Sequence, residues 1–105
     1  MDVIQDPILF HFRTALDDRY KDRIEKIVLF GSRARGDNDS ESDYDVAVFI
    51  TDIDRFDVEL AVIADIETEI LYETGKVING LLLKAGSWGE PSLFMQELRR
   101  DGVEL

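Results

Sequence analysis

The spacing of apolar residues along the chain predicts alternating helices and strands. Asp6-Pro7 is typical of a helix start, with an aspartate cap and a proline in the first turn. The residues expected on the core side of this helix recur at helical spacing: Ile8, Phe12, Ala15, Leu16 and Tyr20. Two apolar runs rich in β-formers, residues 25–30 and 43–50, then predict two strands, with a short helix starting at Ser32 between them.

The second half of the chain predicts a long helix, a third strand and a closing helix. Asp54 is expected to cap a helix over residues 55–73, which Thr74-Gly75 ends. The residues predicted to face the core are Phe56, Leu60, Ile63, Ile66 and Ile70. A strand over residues 76–84 and a helix from Pro91 to Gly102 complete the chain. This order predicts an α/β (α+β) fold, with helices packed on a small mixed β-sheet.

Length and composition narrow the class of protein. A chain of 105 residues is expected to form a single domain over residues 1–105. The chain has no cysteine, which excludes disulfides, thiolate metal sites and cysteine nucleophiles. No stretch approaches the ~20 apolar residues of a membrane span, so we expect a cytoplasmic protein that does not bind membranes.

The charge of the chain bears on its partners. The formal net charge is −11, from 23 acidic and 12 basic residues. Proteins that grip the nucleic-acid backbone usually carry a basic face, so direct binding of DNA or RNA is not expected. A basic protein partner explains the acidity, and so does solubility alone. The sequence leaves open whether the chain forms a homo-oligomer or a hetero-oligomer.

Chemistry is concentrated between the first two predicted strands. Gly31-Ser32 follows the first strand directly, and such a turn brings backbone N–H groups close to phosphate oxygens. Asp43 and Asp45 open the second strand, where alternating side chains place both carboxylates on one side, about 7 Å apart. Paired carboxylates hold hard divalent cations, which bridge phosphates. We therefore predict metal-dependent nucleotide chemistry at this loop.

These residues resemble the signature of the DNA polymerase beta-like nucleotidyltransferases. The signature is Gly-Ser, a spacer and Asp-x-Asp on the next strand, and the form GSRARG is typical of the minimal nucleotidyltransferases of bacteria and archaea. The closing stretch LFMQELRRDGVEL is also similar to the end of those proteins. The resemblance implies a nucleotidyltransferase fold, two Mg²⁺ ions held by Asp43 and Asp45, and ATP bound at Gly31 and Ser32. Arg33 or Arg35 is expected to contact phosphate or the partner, and the resemblance favours Arg35.

The chain departs from the family pattern at one position. The family usually carries a third carboxylate on a later strand, and the matching residue here is Asn79. An amide oxygen can ligate a hard cation, but it brings no charge and cannot act as a general base. The departure therefore concerns catalysis rather than fold.

The resemblance also implies a biological role. Minimal nucleotidyltransferases are often antitoxins that transfer AMP from ATP to a tyrosine of a HEPN-type RNase toxin, a modification called AMPylation. One alternative is an antitoxin that has lost catalysis and neutralises its toxin by contact, which Asn79 favours. Another alternative is a nucleotidyltransferase acting on a small molecule, although the chain is short for building such a pocket alone.

Overall fold

A mixed β-sheet with helices on both faces forms the centre of the computed structural model, which describes residues 5–105. The helices are α1 (Pro7–Tyr20), α2 (Ser32–Arg35), α3 (Phe56–Thr74) and α4 (Leu93–Asp101). The strands are β1 (Ile24–Phe30), β2 (Tyr44–Ile50), β3 (Ile78–Lys84) and β4 (Val103–Glu104). In the sheet order β3-β2-β1-β4, β1 is antiparallel to β2 and β4, and β2 is parallel to β3. The predicted fold class is confirmed.

Helices α1 and α3 cover one face of the sheet. The face of β2 opposite Asp45 is buried there, and its residues are Tyr44, Val46, Val48 and Ile50. Phe12, Leu16 and Tyr20 of α1 and Ile63, Ile66 and Ile70 of α3 pack against this face, as their spacing predicts. Asp6 caps α1 as expected, because its Oδ1 accepts hydrogen bonds from the backbone N–H groups of Ile8 and Leu9 at 2.8 and 3.3 Å.

Helix α4 covers only part of the opposite face. Met95 and Leu98 pack on Val28, Ala47 and Phe49 of the two central strands. Strand β3 lies at the edge of the sheet, and its Leu81 remains 38% exposed on this face. The side of the sheet that carries Asp45 and Asn79 is therefore open to solvent next to β3.

The start of α3 differs from the prediction. The N-cap is Arg55, which makes no side-chain capping bond, so the expected cap by Asp54 is wrong. Phe56 and Leu60 are 38% and 48% exposed, so their predicted inward positions are wrong too. Glu59 takes the buried position instead, because the Arg23 guanidinium reaches its carboxylate at 2.5 Å. This ion pair joins the first turn of α3 to Arg23, which immediately precedes β1. Helical periodicity in the sequence cannot reveal such a contact.

The end of the chain also differs from the prediction. Helix α4 begins at Leu93 rather than Pro91, and Ser92 caps it by accepting a hydrogen bond from the Met95 N–H at 3.2 Å. Beyond Gly102 the chain adds β4, a short strand that the sequence analysis missed, which pairs Val103 with Leu29. Within residues 5–105, none of the helices combines the length and apolarity that crossing a membrane requires.

Candidate functional site

Three polar side chains meet where β1, β2 and β3 lie side by side. Asp45 is paired with Phe30 on β1 and with Asn79 on β3, so the sheet register brings these positions together. The Asn79 amide nitrogen donates hydrogen bonds to Asp43 Oδ2 at 3.2 Å and to Asp45 Oδ1 at 3.3 Å. Asp43 and Asp45 thus project to the same side, and Asn79 lies where a third carboxylate would complete the cluster.

Gly31 lies directly beneath this cluster. Its φ of +74° belongs to the region that L side chains rarely adopt, and a Cβ here would overlap the Asp45 carboxylate. No other residue type therefore allows the turn after β1 to approach Asp45 so closely. The approach joins the predicted phosphate turn to the predicted metal ligands.

The turn continues directly into α2. The Gly31 carbonyl accepts hydrogen bonds from the N–H groups of Ala34 and Arg35 at 3.2 and 3.1 Å, which makes Gly31 the N-cap. Ser32 is the first helical residue, as predicted, and the first N–H groups of a helix have no acceptor within it. Ser32 therefore opens α2 directly after the glycine that lies against the Asp45 carboxylate.

The two arginines of GSRARG have different surroundings. The Arg33 guanidinium stacks on the Tyr44 ring at 3.9 Å from its centre, and its Nε donates to the Ser42 carbonyl at 3.0 Å. Arg33 thus holds the loop between α2 and β2. Arg35 is half-exposed, and its Nε lies 3.2 Å from the exposed Asp37 carboxylate. Arg35 is the arginine whose guanidinium can turn toward a ligand without releasing the loop.

Tyr44, between the two aspartates, anchors the start of β2 on the opposite face. Its hydroxyl donates to Asp6 Oδ2 at 2.8 Å, while the other oxygen of Asp6 caps α1. Burial, together with this hydrogen bond, raises the pKa of Tyr44 to about 12. A neutral phenol therefore fixes the segment that carries Asp43 and Asp45.

The strand that carries Asn79 is fixed by α3. The Gly80 N–H donates to Glu67 Oε2 at 3.0 Å, and a Cβ on Gly80 would lie 2.9 Å from an Ile63 methyl group. Burial raises the pKa of Glu67, and the hydrogen bond from Gly80 opposes this effect. Glu67 covers an N–H group at the open edge of β3, so this strand edge is partly protected from pairing.

The cluster has the donor types that a hard cation prefers. Two carboxylates lie within hydrogen-bond distance of one amide. Rotating the Asn79 amide about its Cβ–Cγ bond would direct its oxygen, instead of its nitrogen, toward a cation held by the aspartates. A second group of potential metal ligands among residues 5–105, His11, Glu69 and Glu73, lies on α1 and α3, the helices of the other sheet face. That group is separate from Asp43 and Asp45, and it has no bearing on a metal there.

The roles of Tyr44 and Arg33 in supporting the site are not predicted by the sequence pattern. Stacking between an arginine and a tyrosine depends on where two elements meet, so spacing in the sequence does not reveal it. The signal that was available is the position of Tyr44 between two aspartates, facing the core where a phenol needs a partner.

Comparison with known proteins identifies the family of this fold. Residues 16–101 match the family model described as "Polymerase beta, Nucleotidyltransferase". Two proteins of Methanocaldococcus jannaschii, "Putative protein adenylyltransferase MJ0604" and "Putative protein adenylyltransferase MJ0141", are 41% and 38% identical over 71 and 53 residues. These stretches cover 68% and 50% of this chain, and only 65% and 52% of the two relatives.

Solved structures share the fold at low sequence identity. One is described as "Crystal structure of the toxin-antitoxin with AMP-PNP"; it has a TM-score of 0.59 and 17% identity, covering 89% of this chain and 68% of the other. Another, a "putative nucleotidyltransferase from Sulfolobus solfataricus", has a TM-score of 0.52 and 17% identity, covering 92% and 80%. At this identity the likeness concerns the fold alone.

Proposed function

Because the chain belongs to the Polymerase beta nucleotidyltransferase family, we propose that it transfers AMP from ATP to a hydroxyl group of a partner protein. The observation that carries the proposal is the contact between the turn at Gly31 and the carboxylate of Asp45, with Asp43 and Asn79 alongside. A phosphate chain lying on the turn would have its reacting phosphorus next to the carboxylates. The relatives named as protein adenylyltransferases support the choice of AMP and of a protein acceptor.

The residues have distinct roles in this reaction. The N–H groups of the turn and the Ser32 hydroxyl bind the terminal phosphates of ATP, and Arg35 turns from Asp37 to contact them. The oxygen of the acceptor hydroxyl forms a bond to the α-phosphorus, the bond from that phosphorus to the bridging oxygen breaks, and pyrophosphate leaves. The proton of the hydroxyl passes to solvent or to a carboxylate of the cluster.

Asp43 and Asp45 would hold Mg²⁺, with the Asn79 oxygen as a third ligand once the amide has turned. When bound, Mg²⁺ neutralises phosphate charge and stabilises the developing charge on the attacking and leaving oxygens. Asn79 cannot accept the acceptor's proton, which makes it the weakest part of the catalytic arrangement. We therefore expect that nucleotide binding is intact and that transfer is slow.

The partner that we propose is a HEPN-type toxin modified on a tyrosine, so that the chain acts as an antitoxin. The net charge of −11 favours a basic partner, and a structure of the same fold is described as a toxin–antitoxin pair. The open sheet face beside Asn79 leaves room for a protein segment to approach the carboxylates.

The test is transfer of labelled AMP in the presence of ATP and Mg²⁺. The chain is co-expressed with the protein encoded next to it, and both are weighed intact after incubation. We expect the neighbour to gain one adenylyl group, and to lose this gain with Asp43→Asn plus Asp45→Asn. A stable complex with no added mass on either protein, even after long incubation, would refute transfer.

That last outcome corresponds to a second candidate function, an antitoxin that acts by contact alone. The hydrogen bonds from Asn79 to both aspartates favour it, because an amide that donates to both carboxylates offsets their mutual repulsion. One double variant distinguishes the two candidate functions. Asp43→Asn with Asp45→Asn abolishes neutralisation of the toxin if transfer is needed, and leaves it intact if contact suffices.

A further inference from the structure

A cleft of about 180 Å³ opens between α2 and α4, beside the turn at Gly31. Its apolar lining comes from Phe30, Phe94 and Leu98, and the rings of Phe30 and Phe94 meet edge to face at 5.7 Å. Phe94 is 36% exposed, and the neighbouring Leu93 is 71% exposed, so the apolar surface extends from the cleft onto α4. Among its lining residues, Gly31 and Arg35 have a role in the proposed nucleotide transfer, whereas the apolar residues and the acidic residues of α4 have none.

Acidic side chains border the same cleft. Glu97 and Asp101, one turn apart on α4, both contribute to its lining. Asp101 is paired with Arg100 at 2.9 Å, whereas Glu97 has no ion-pair partner among residues 5–105. Arg35 of α2 also lines the cleft, but its Nε lies 3.2 Å from Asp37, and the two carboxylates outnumber it. A negative lining of this kind favours a cationic side chain.

We propose that this cleft binds an anchor segment of the acceptor protein: an aromatic side chain in the apolar cleft, followed by an arginine or lysine at Glu97. The proposal rests on the proposed function for the identity of the partner. Three observations select this occupant: the apolar lining, the unpaired carboxylate and the net charge of −11.

The cleft is continuous with the proposed nucleotide site. Gly31 lines the cleft and also lies against the Asp45 carboxylate. A segment anchored here therefore extends directly to the carboxylate cluster, where its hydroxyl-bearing residue would react. Anchoring next to the reacting groups raises the local concentration of the acceptor, which compensates for a weak individual contact.

The test uses amide chemical shifts of the uniformly ¹⁵N-labelled full chain. The probes are N-acetyl-phenylalanyl-arginine amide, N-acetyl-phenylalanyl-glutamate amide and adenosine. We expect the arginine dipeptide to shift Gly31, Phe94 and Leu98 with a Kd on the order of 1–10 mM, as a single side chain allows. The glutamate dipeptide should bind at least about threefold more weakly, as expected for one exposed charge pair.

Variants locate the binding within the cleft. Glu97→Gln should remove the preference for arginine over glutamate, and Phe94→Leu should weaken both dipeptides. Glu69→Gln is the matched control, because it removes the same charge from α3 on the other face of the sheet. It should leave both affinities unchanged.

Several results would overturn the proposal. They are equal affinity for the two dipeptides, shifts mapping outside the cleft, no shifts at all, or shifts of these amides by adenosine, which would assign the cleft to the nucleotide base. ATP binding with Mg²⁺ is measured on the same samples. If it persists while the dipeptides fail to bind, the docking proposal fails and the proposed function stands.

Discussion

Replacing Asn79 by aspartate tests how Asn79 offsets the negative charge of Asp43 and Asp45. In the metal-free protein the new carboxylate would lie where the amide nitrogen is now, 3.2 Å from Asp43 Oδ2 and 3.3 Å from Asp45 Oδ1. Two favourable hydrogen bonds are then exchanged for two like-charge contacts. Each contact costs about 1 kcal/mol when screened as in water. Asp43 and Asn79 are exposed, so this lower estimate applies, and the total is about 2 kcal/mol.

The measurement is thermal unfolding with EDTA or with Mn²⁺. A loss of about 2 kcal/mol lowers the Tm of Asn79→Asp by roughly 10 °C in EDTA, and Mn²⁺ should restore it. Asn38→Asp makes the same substitution in an exposed loop, and its Tm should change much less. An Asn79→Asp protein as stable as the wild type in EDTA would contradict the placement of Asn79 beside the aspartates.

The same variant also addresses catalysis. An added general base is typically associated with rate gains of ~10²–10⁴-fold, so Asn79→Asp should increase transfer of AMP to the partner. Rapid transfer by the wild type that is unchanged or slowed in the variant would show that another residue accepts the proton.

Further variants test the residues that support the site. Arg33→Lys should lower the Tm by weakening stacking on Tyr44, whereas Arg35→Lys should preserve the Tm and weaken ATP binding severalfold. The reverse pattern in calorimetry would make Arg33 the phosphate ligand and Arg35 the structural residue. Tyr44→Phe should cost about 1 kcal/mol at pH 7 through the lost bond to Asp6. Because the pKa of Tyr44 is raised to about 12, the stability of the wild type falls as the pH rises from 10 toward 12. The stability difference between Tyr44→Phe and the wild type should therefore shrink over this pH range. A difference that is constant with pH would contradict this. Glu67→Gln keeps an acceptor for Gly80 and removes a partly buried charge whose raised pKa destabilises the fold above its titration. The Tm at pH 7 should therefore rise, and the gain should vanish in acid; a lower Tm at pH 7 would refute this.

Much of the fold could be predicted because its signals are local. The cap at Asp6, the apolar run of β2 and the left-handed glycine that ends α3 each depend on neighbouring residues alone. The short strand β4 was missed because its two residues carry no periodicity, and only pairing with β1 defines it. The burial of Glu59 was missed because it depends on Arg23, which is distant in sequence.

The site could be predicted in part for the same reason. The spacing of Gly31, Asp43 and Asp45 identifies a turn and a strand that the structure brings into contact. The position of Asn79 beside the two aspartates was implied by the family resemblance, and the parallel pairing of β2 with β3 places it opposite Asp45. The different surroundings of Arg33 and Arg35 could not be predicted, because they depend on the path of the loop that Arg33 holds.

The central claim is that Asp43, Asp45 and the turn at Gly31 form one metal-dependent nucleotide site. Calorimetric titration with ATP, in Mg²⁺ and in EDTA, tests it most directly. The claim predicts binding by the wild type in Mg²⁺ only, and none by a folded Asp43→Asn, Asp45→Asn protein in either buffer. Equal ATP affinity of the wild type in EDTA and in Mg²⁺ would contradict it.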